Sequence, residues 1–346
     1  MTTSLAPGSA SKRATIVDVA RHAGVSTASA SKVLRGAPGV SREMRDRVHR
    51  SMEALSYRPH RSARAMRGRT YSVGVMLSDI ENPFFSLLVQ GMHDVFQADG
   101  YELLIAPSSS DEASQNARID SLIDHQMDGL VLVSPRSHED HLERIGEQVA
   151  TVVIGPHGPS ASHDTISGDD ATGAGLVVDY LVALGHRRIA FVSNQPPRDL
   201  VNLPESVRER GFLAAMERHG LGAEAVVLPG TWTYEGGRAA GQRVLESYPR
   251  PTAVFAGADV AALGLLSRCL EAGAAIPGDL SVVGYDNSPT GALPPIGLSS
   301  VDQSGLEMGR IAARLLLERI DGRTTPRNEL IAPSMVVRST TAAPAG

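Results

Sequence analysis

The chain predicts a two-part molecule: an N-terminal all-α helix-turn-helix head with a hinge helix, then an α/β core of two doubly wound parallel-sheet subdomains. Three observations carry that expectation. Residues 15 to 36 read as two short helices around a Gly24-Val25-Ser26 turn. Positive charge gathers early: residues 11 to 70 hold fourteen Lys or Arg against four acids, whereas the rest of the chain holds nineteen against thirty-four. From residue 71 onward, short β-branched runs alternate with helical stretches, the pattern of parallel sheets covered by helices on both faces.

At 346 residues there is room for two or three domains with proper cores, and a hydrophobic fraction of 42% is ordinary for a globular protein. The net charge of −5 conceals a basic head on an acidic body, the division expected of a nucleic-acid reader whose remaining mass does not itself adhere to DNA. Cys269 is the single cysteine; it excludes an internal disulfide, fits a reducing compartment, and reads as a small buried apolar residue. Met1 to Ala14 lack an apolar h-region, so no signal peptide is expected. No apolar run is long enough to span a membrane. A cytoplasmic location with no membrane partner is the expectation.

In the head, the first helix runs from about Ile16 to Ala23. Thr15 caps it, and Asp18 completes a capping-box pattern. Ile16, Val19 and Ala20 form one buried stripe, and Gly24 permits the tight turn that a β-carbon would hinder. Ser26 or Thr27 caps the second helix, with Val25, Ala30, Val33 and Leu34 inward. Thr27, Ala28, Ser29 and Lys32 are left outward. Small side chains there let the backbone approach base edges, while Lys32 reaches a base or a phosphate. Ser41 opens a third helix to about Leu55, with Met44, Val48, Met52 and Leu55 as its stripe.

Pro59 then stops the helix. Arg61, Arg64 and Arg67 recur every three residues, Ala63 and Met66 share another face, and Gly68 ends the piece. A helix this short is marginal alone in water and is expected to form when DNA holds it. An apolar residue on it is suited to wedging between base steps from the minor groove.

The run T-I-x-D-V-A-x-x-A-G-V-S-x-x-x-x-S-K-V-L over residues 15–34, followed by Y-x-P-x-x-x-A-R over 57–64, resembles the lactose/galactose-repressor (LacI/GalR-type) family of bacterial transcription factors. The resemblance implies that Thr27, Ala28 and Lys32 read bases and that residues 60 to 67 are the hinge helix. Met66 stands where the family usually has a wedging leucine, and His60 where it usually has Asn. Met keeps the apolar bulk but is more flexible. The full DNA-contacting set expected is Thr15, Ser26, Thr27, Ala28, Ser29, Lys32, Tyr57, Arg61, Ala63, Arg64 and Met66.

In the body, strands are expected at Ser72–Leu77, Glu102–Ala106, Gly129–Val133, Val152–Ile154, Arg188–Ser193, Ala225–Leu228, Ala253–Gly257 and Ser281–Tyr285. Helices are expected between them, for example at Phe84–Asp99, Ala113–Gln126, Thr172–Leu184, Val207–His219, Tyr234–Ser247 and Val260–Ala272. The resemblance continues through Asn82-Pro-Phe-Phe85, Leu184-Gly-His-Arg-Arg-Ile189, Arg208-x-x-Gly-Phe212, Phe255 to Gly264, Ile276 to Asp286 and Val336 to Thr340. It implies a periplasmic-binding-protein-like core. The domain expectation is a tail at 1–13, the DNA-binding domain at 14–58, hinge and linker at 59–70, and the core at 71–340. Within the core, the first subdomain takes 71–168 and 298–327, and the second 169–297 and 328–340; a tail covers 341–346.

Ligands of such folds sit beyond the carboxyl ends of strands, in the cleft between lobes. The resemblance carries Asp79, Phe84, Arg208, Trp232, Asp259, Asp286 and Gln303 to that pocket. Arg208 offers a planar fork suited to a carboxylate, phosphate or polyol oxygens; Trp232, the only tryptophan, offers a platform for a ligand ring; Asp259 and Asp286 accept hydroxyl donors. Bland alternatives stand beside them: Phe84 as core, Asp259 as a helix cap, Trp232 as a buried anchor. The chain departs from the family at Asp169-Asp170, where Asp-Asn is usual, at Ala258-Asp259, where Asn-Asp is usual, and at Gly155-Pro156, where a strand often ends in Asp. A sugar or sugar derivative is the effector the resemblance implies.

An enzyme is not expected, because no G-x-S-x-G elbow, P-loop or H-E-x-x-H occurs. His138-Glu-Asp-His141 reads as a solvated helix start rather than a metal site, and no cofactor is expected. A secreted solute-binding protein, the other rival, is argued against by the basic head and the missing leader. The expected protein is a homodimer whose two heads read a pseudo-palindromic operator on double-stranded DNA. No heptad tail follows Thr340, so a dimer rather than a tetramer is expected.

Overall fold

Two units make up the chain, Met1–Thr70 and Tyr71–Gly346, and within them the computed structural model describes residues 14–34, 39–57, 69–109, 111–194 and 200–345. The first unit holds α1 (Ile16–Ala23), α2 (Thr27–Leu34) and α3 (Arg42–Ala54). Thr15 and Asp18 form the reciprocal capping box, and Gly24 ends α1 in the left-handed region at φ 63°, a conformation that glycine adopts without steric cost. Ser26, not Thr27, opens α2: its hydroxyl accepts the Ser29 N–H at 3.0 Å. Val19, Ala20, Ala23, Ala30, Val33, Val48 and Tyr57 make a single small core. The anticipated hinge helix, with Arg61, Ala63, Arg64 and Met66, lies outside the described residues.

The second unit runs β1 (Ser72–Leu77), α4 (Pro83–Ala98), β2 (Glu102–Pro107), α5 (Glu112–Asp124), β3 (Gly129–Val133), α6 (Glu139–Gln148), β4 (Ala150–Ile154) and β5 (Asp164–Gly168). It continues with α7 (Asp170–Ala183), β6 (Ile189–Val192), α8 (Pro204–Arg218), β7 (Ala225–Leu228), α9 (Tyr234–Glu246), β8 (Ala253–Ala256), α10 (Asp259–Glu271) and β9 (Ser281–Tyr285). Last come β10 (Ser299–Asp302), α11 (Gly305–Ile320), β11 (Asn328–Ile331) and β12 (Ser334–Val336). Two six-stranded sheets result, in the orders β11-β5-β4-β3-β1-β2 and β12-β10-β9-β8-β6-β7. Every pairing is parallel except β10 with β12 at one edge. The fold is therefore the doubly wound pair that the alternation predicts.

The inner strands of each sheet are buried on both faces, so β1, β3, β4, β6 and β8 are apolar almost throughout. In β1 and β3, Val73, Val75, Leu77, Val131 and Val133 face α4 and α11 through Leu88, Met92 and Leu316. Met76, Leu130 and Leu132 face α5 and α6 through Ile119, Leu122 and Leu142. The second lobe repeats the arrangement, with Phe191 stacked on Phe212 at 5.3 Å between centroids and Cys269 buried on the opposite face.

One boundary expectation is corrected. β10 pairs with β9 in the second sheet and β11 with β5 in the first, so residues 299–302 belong to the second lobe and 328–331 to the first. The chain crosses between lobes after Gly168, after Asp302 and after Ile331, because each exit strand first extends its own sheet. The expected division at 297/298 and 327/328 fell one strand too early.

Candidate functional site

On the head, Thr15, Thr27, Ala28 and Lys32 are exposed. Ser29 is half-buried, and its hydroxyl lies 2.9 Å from that of Ser26. Thr15 is engaged with its cap: its hydroxyl donates to Asp18 Oδ2 at 2.7 Å, and these bonds hold the Asp18 carboxyl below its ordinary pKa. Tyr57 differs from expectation. Its side chain packs into the head core and is 8% exposed, because an aromatic following α3 is the largest apolar group available to close three short helices. Of the residues expected around the second helix, Ser26, Thr27, Ala28 and Lys32 are exposed.

In the body, the carboxyl ends of both sheets converge on a cavity of about 440 Å³, a volume typical of small-molecule sites. Asp79, Phe84, Arg208, Trp232, Asp286 and Gln303 all line it. Asp259 does not. It is buried behind the wall, where Oδ1 accepts the Ser300 hydroxyl and Oδ2 the Ser288 N–H, each at 2.6 Å. Its carboxylate has turned inward to tie α10 to β10 and the loop after β9.

Arg208, on α8, is 3% exposed, and its donors are largely committed. Nε and Nη2 donate to Asp170 Oδ1 at 3.0 and 2.5 Å, and Nη1 donates to the Gly257 carbonyl. The guanidinium carbon lies 3.5 Å from the Tyr285 ring centroid and 4.6 Å from that of Trp232. The fork expected to face a ligand is thus answered by protein. Asp170 stands at one of the positions where the chain departs from the family it resembles, and its carboxyl is held below the ordinary range by Arg208 and His157 against the opposing pull of burial.

Trp232 donates from Nε1 to the Val192 carbonyl at 3.0 Å and lies so close over Gly257 that any β-carbon there would collide with the indole. Phe84 belongs to the first-lobe core and to the cavity wall at once. Asp286 sits at the end of β9 with φ 121°, followed by Asn287 at φ 50°. Two successive left-handed non-glycine residues store strain, and the surroundings hold them there: the Asp286 N–H donates to Val301 at 2.8 Å, and the Asn287 amide oxygen accepts Arg338 Nη2 at 2.6 Å. Asp286 Oδ1 accepts Gln303 Nε2 at 2.6 Å and Oδ2 accepts Asn82 Nδ2 at 3.5 Å. Burial first, then the neighbouring Asp259 charge, raise the Asp286 pKa.

Among the wall residues not anticipated as site residues are Asn82, Arg136, Asp170 and Glu205. Each makes a link between lobes. Arg136 Nη2 donates to Glu205 Oε1 at 3.2 Å, His157 Nε2 lies 2.8 Å from Asp170 Oδ2, and Asn82 reaches Asp286 as above. Asn82 was visible in its Asn-Pro-Phe-Phe motif and Asp170 as a departure. Arg136 and Glu205 meet only through the fold and had no local signal. Among the described residues, no group of three or more His, Cys, Asp or Glu is placed to hold a metal, and no helix is long and apolar enough to cross a membrane.

Residues 15–60 match the family described as bacterial regulatory proteins, lacI family, and residues 178–341 match a periplasmic binding protein-like domain. Catabolite control protein A of Priestia megaterium is 31% identical over 90% of this chain and 93% of its own length. The ribose operon repressor of Escherichia coli K12 is 31% identical over 92% of this chain and 96% of its own. Among solved structures, the Lac repressor dimer bound to operator and the anti-inducer ONPF superposes with a TM-score of 0.82 at 26% identity, covering 96% of this chain and all of that one.

Proposed function

The chain belongs to the LacI family of bacterial regulatory proteins, and on that premise we propose that it is a repressor of carbohydrate-utilisation genes whose grip on operator DNA is switched by a sugar or sugar derivative in the cleft. The observation that supports this best is that six of the seven residues the family resemblance carries to a pocket line one cavity between two lobes, in a chain that also carries a basic helix-turn-helix head. The names of its relatives, a ribose operon repressor and a catabolite control protein, agree with a carbohydrate role, and the operator-bound Lac repressor dimer supports two copies on one pseudo-palindromic site. Such a protein acts where the chromosome is, in the cytoplasm.

The mechanism rests on geometry that both lobes share. Three crossings connect them, and side chains bridge the cleft at Arg136–Glu205, His157–Asp170 and Asn82–Asp286. A ligand that touches both walls binds the closed arrangement better than the open one and shifts the population by that difference. DNA affinity changes to the extent that one arrangement of the paired first lobes suits the two heads. Thr27, Ala28 and Lys32 read bases, residues 60 to 67 form the hinge with Met66 as wedge, and Arg and Lys neutralise phosphates. Binding of the purified full-length chain to duplexes from its own upstream region tests this reading. The expected result is preference for one duplex, steeply weakened by salt; equal affinity for that duplex and random DNA would contradict it.

A further inference from the structure

We propose that the cleft selects an uncharged polyhydroxy ligand, a free saccharide, and turns away phosphorylated and carboxylated ones. This rests on the reading of the cleft as the effector site and narrows its chemistry.

Every cation on the described wall already carries a carboxylate. Arg208 is held by Asp170 through Nε and Nη2 and by the Gly257 carbonyl through Nη1. Arg136 is held by Glu205. Against these two guanidinium groups stand five acids on the wall: Asp79, Glu81, Asp170, Glu205 and Asp286. An incoming phosphate or carboxylate would therefore have to displace a buried partner to reach a cation.

Two of the helix N-termini at the wall are also answered. Helix N-termini attract anions through their free N–H groups and their dipole, and several point at this cavity. α7 carries Asp169, whose Oδ1 accepts the Thr172 N–H at 3.0 Å, and Asp170 beside it. α8 carries Glu205 in its first turn. α4 is capped by Asn82, whose Oδ1 accepts the Phe84 N–H at 3.0 Å. At α4 and α7 a protein oxygen already occupies the place that a phosphate would take.

What the wall still offers suits hydroxyls. The carboxylate of Asp79 and the amide oxygens of Asn194 and Gln303 accept hydroxyl donors, and the rings of Phe84 and Trp232 offer apolar faces to sugar C–H surfaces.

The test uses the full chain and the emission of Trp232, the only tryptophan in the sequence, which stands on the cavity wall. Matched sets are titrated at constant ionic strength: glucose, glucose 6-phosphate, glucuronate and glucosamine; ribose and ribose 5-phosphate; cellobiose. The expected result is that at least one neutral sugar changes the emission saturably, and that its charged analogue binds at least about tenfold more weakly. Response to a phosphate, a carboxylate or glucosamine in preference to its neutral parent overturns the proposal, as does silence toward every neutral sugar. Asp170→Asn, which keeps a carbonyl beside Arg208 but removes the charge, should gain a response to the phosphorylated member. Glu205→Gln, which releases Arg136, gives the same reading if the first variant does not fold. No arm contains DNA, so failure here leaves the DNA-binding reading standing, and loss of duplex preference leaves the ligand result standing.

Discussion

Asp286 is the residue in which the chemistry of the cleft is most concentrated. A strained backbone aims it, Gln303 and Asn82 hold its two oxygens, and burial with a neighbouring Asp259 charge raises its pKa. A carboxyl whose folded pKa lies above its unfolded value stabilises the fold at acid pH and loses that contribution as pH rises through the folded pKa. Asp286→Asn does not titrate. The melting temperature of the variant minus that of wild type should therefore increase between about pH 5 and about pH 8.5; a difference constant across that range would show that Asp286 ionises like an exposed carboxyl. The sequence placed Asp286 and Arg208 in the site but not the state of either. Arg208 reads as a free fork in one dimension and proves to be the centre of a buried cluster, because its partner Asp170 lies 38 residues away. Asp259 illustrates the same limit: an acid just after a strand looks alike in sequence whether it faces a ligand or, as here, turns back onto Ser300.

At the scale of elements, strands with unbroken apolar runs were legible and polar ones were not. β5, β10, β11 and β12 escaped because polar residues interrupt their apolar runs, and those residues are satisfied by specific bonds even where the strand is buried. The Thr165 hydroxyl lies within hydrogen-bond distance of the Gly158 carbonyl and the Asn328 amide oxygen, and Ser300 donates to Asp259. Asp164, fully buried at the start of β5, accepts Arg319 Nη1 at 3.3 Å, Arg323 Nη1 at 3.0 Å and the Arg327 N–H at 2.8 Å. It fastens the end of α11 and the start of β11 to the first sheet. Removing one partner of such a buried cluster leaves charge without compensation, so Asp164→Ala should destabilise the body by about 3–5 kcal/mol in chemical denaturation; a loss under about 1 kcal/mol would mean the cluster is solvated. The second helix of the head, α2, was legible because its pattern is local. It leaves Lys32 exposed. Lys32→Ala should weaken operator binding; if Lys32 meets phosphate, the logarithmic salt slope falls by about one, and if it meets a base edge, specificity relaxes at one position instead. No change in either would remove Lys32 from the interface.

For the molecule as a whole, the division of charge and the placing of the cleft are two sides of one design. The acidic body contributes little to phosphate binding, so DNA affinity is left to the basic head, while the three crossings and the cross-cleft pairs let a bound ligand set the relation of the lobes. The alternation of strands and helices made the two-lobed body legible, whereas the crossing points depended on which sheet each exit strand joined. Direct evidence comes from the dissociation constant of the full chain for its preferred upstream duplex, measured by fluorescence anisotropy with and without a saturating neutral sugar that alters Trp232 emission. A change of about fivefold or more is predicted, the scale of ordinary allosteric coupling; an identical constant in both conditions would contradict the claim that the cleft governs the head.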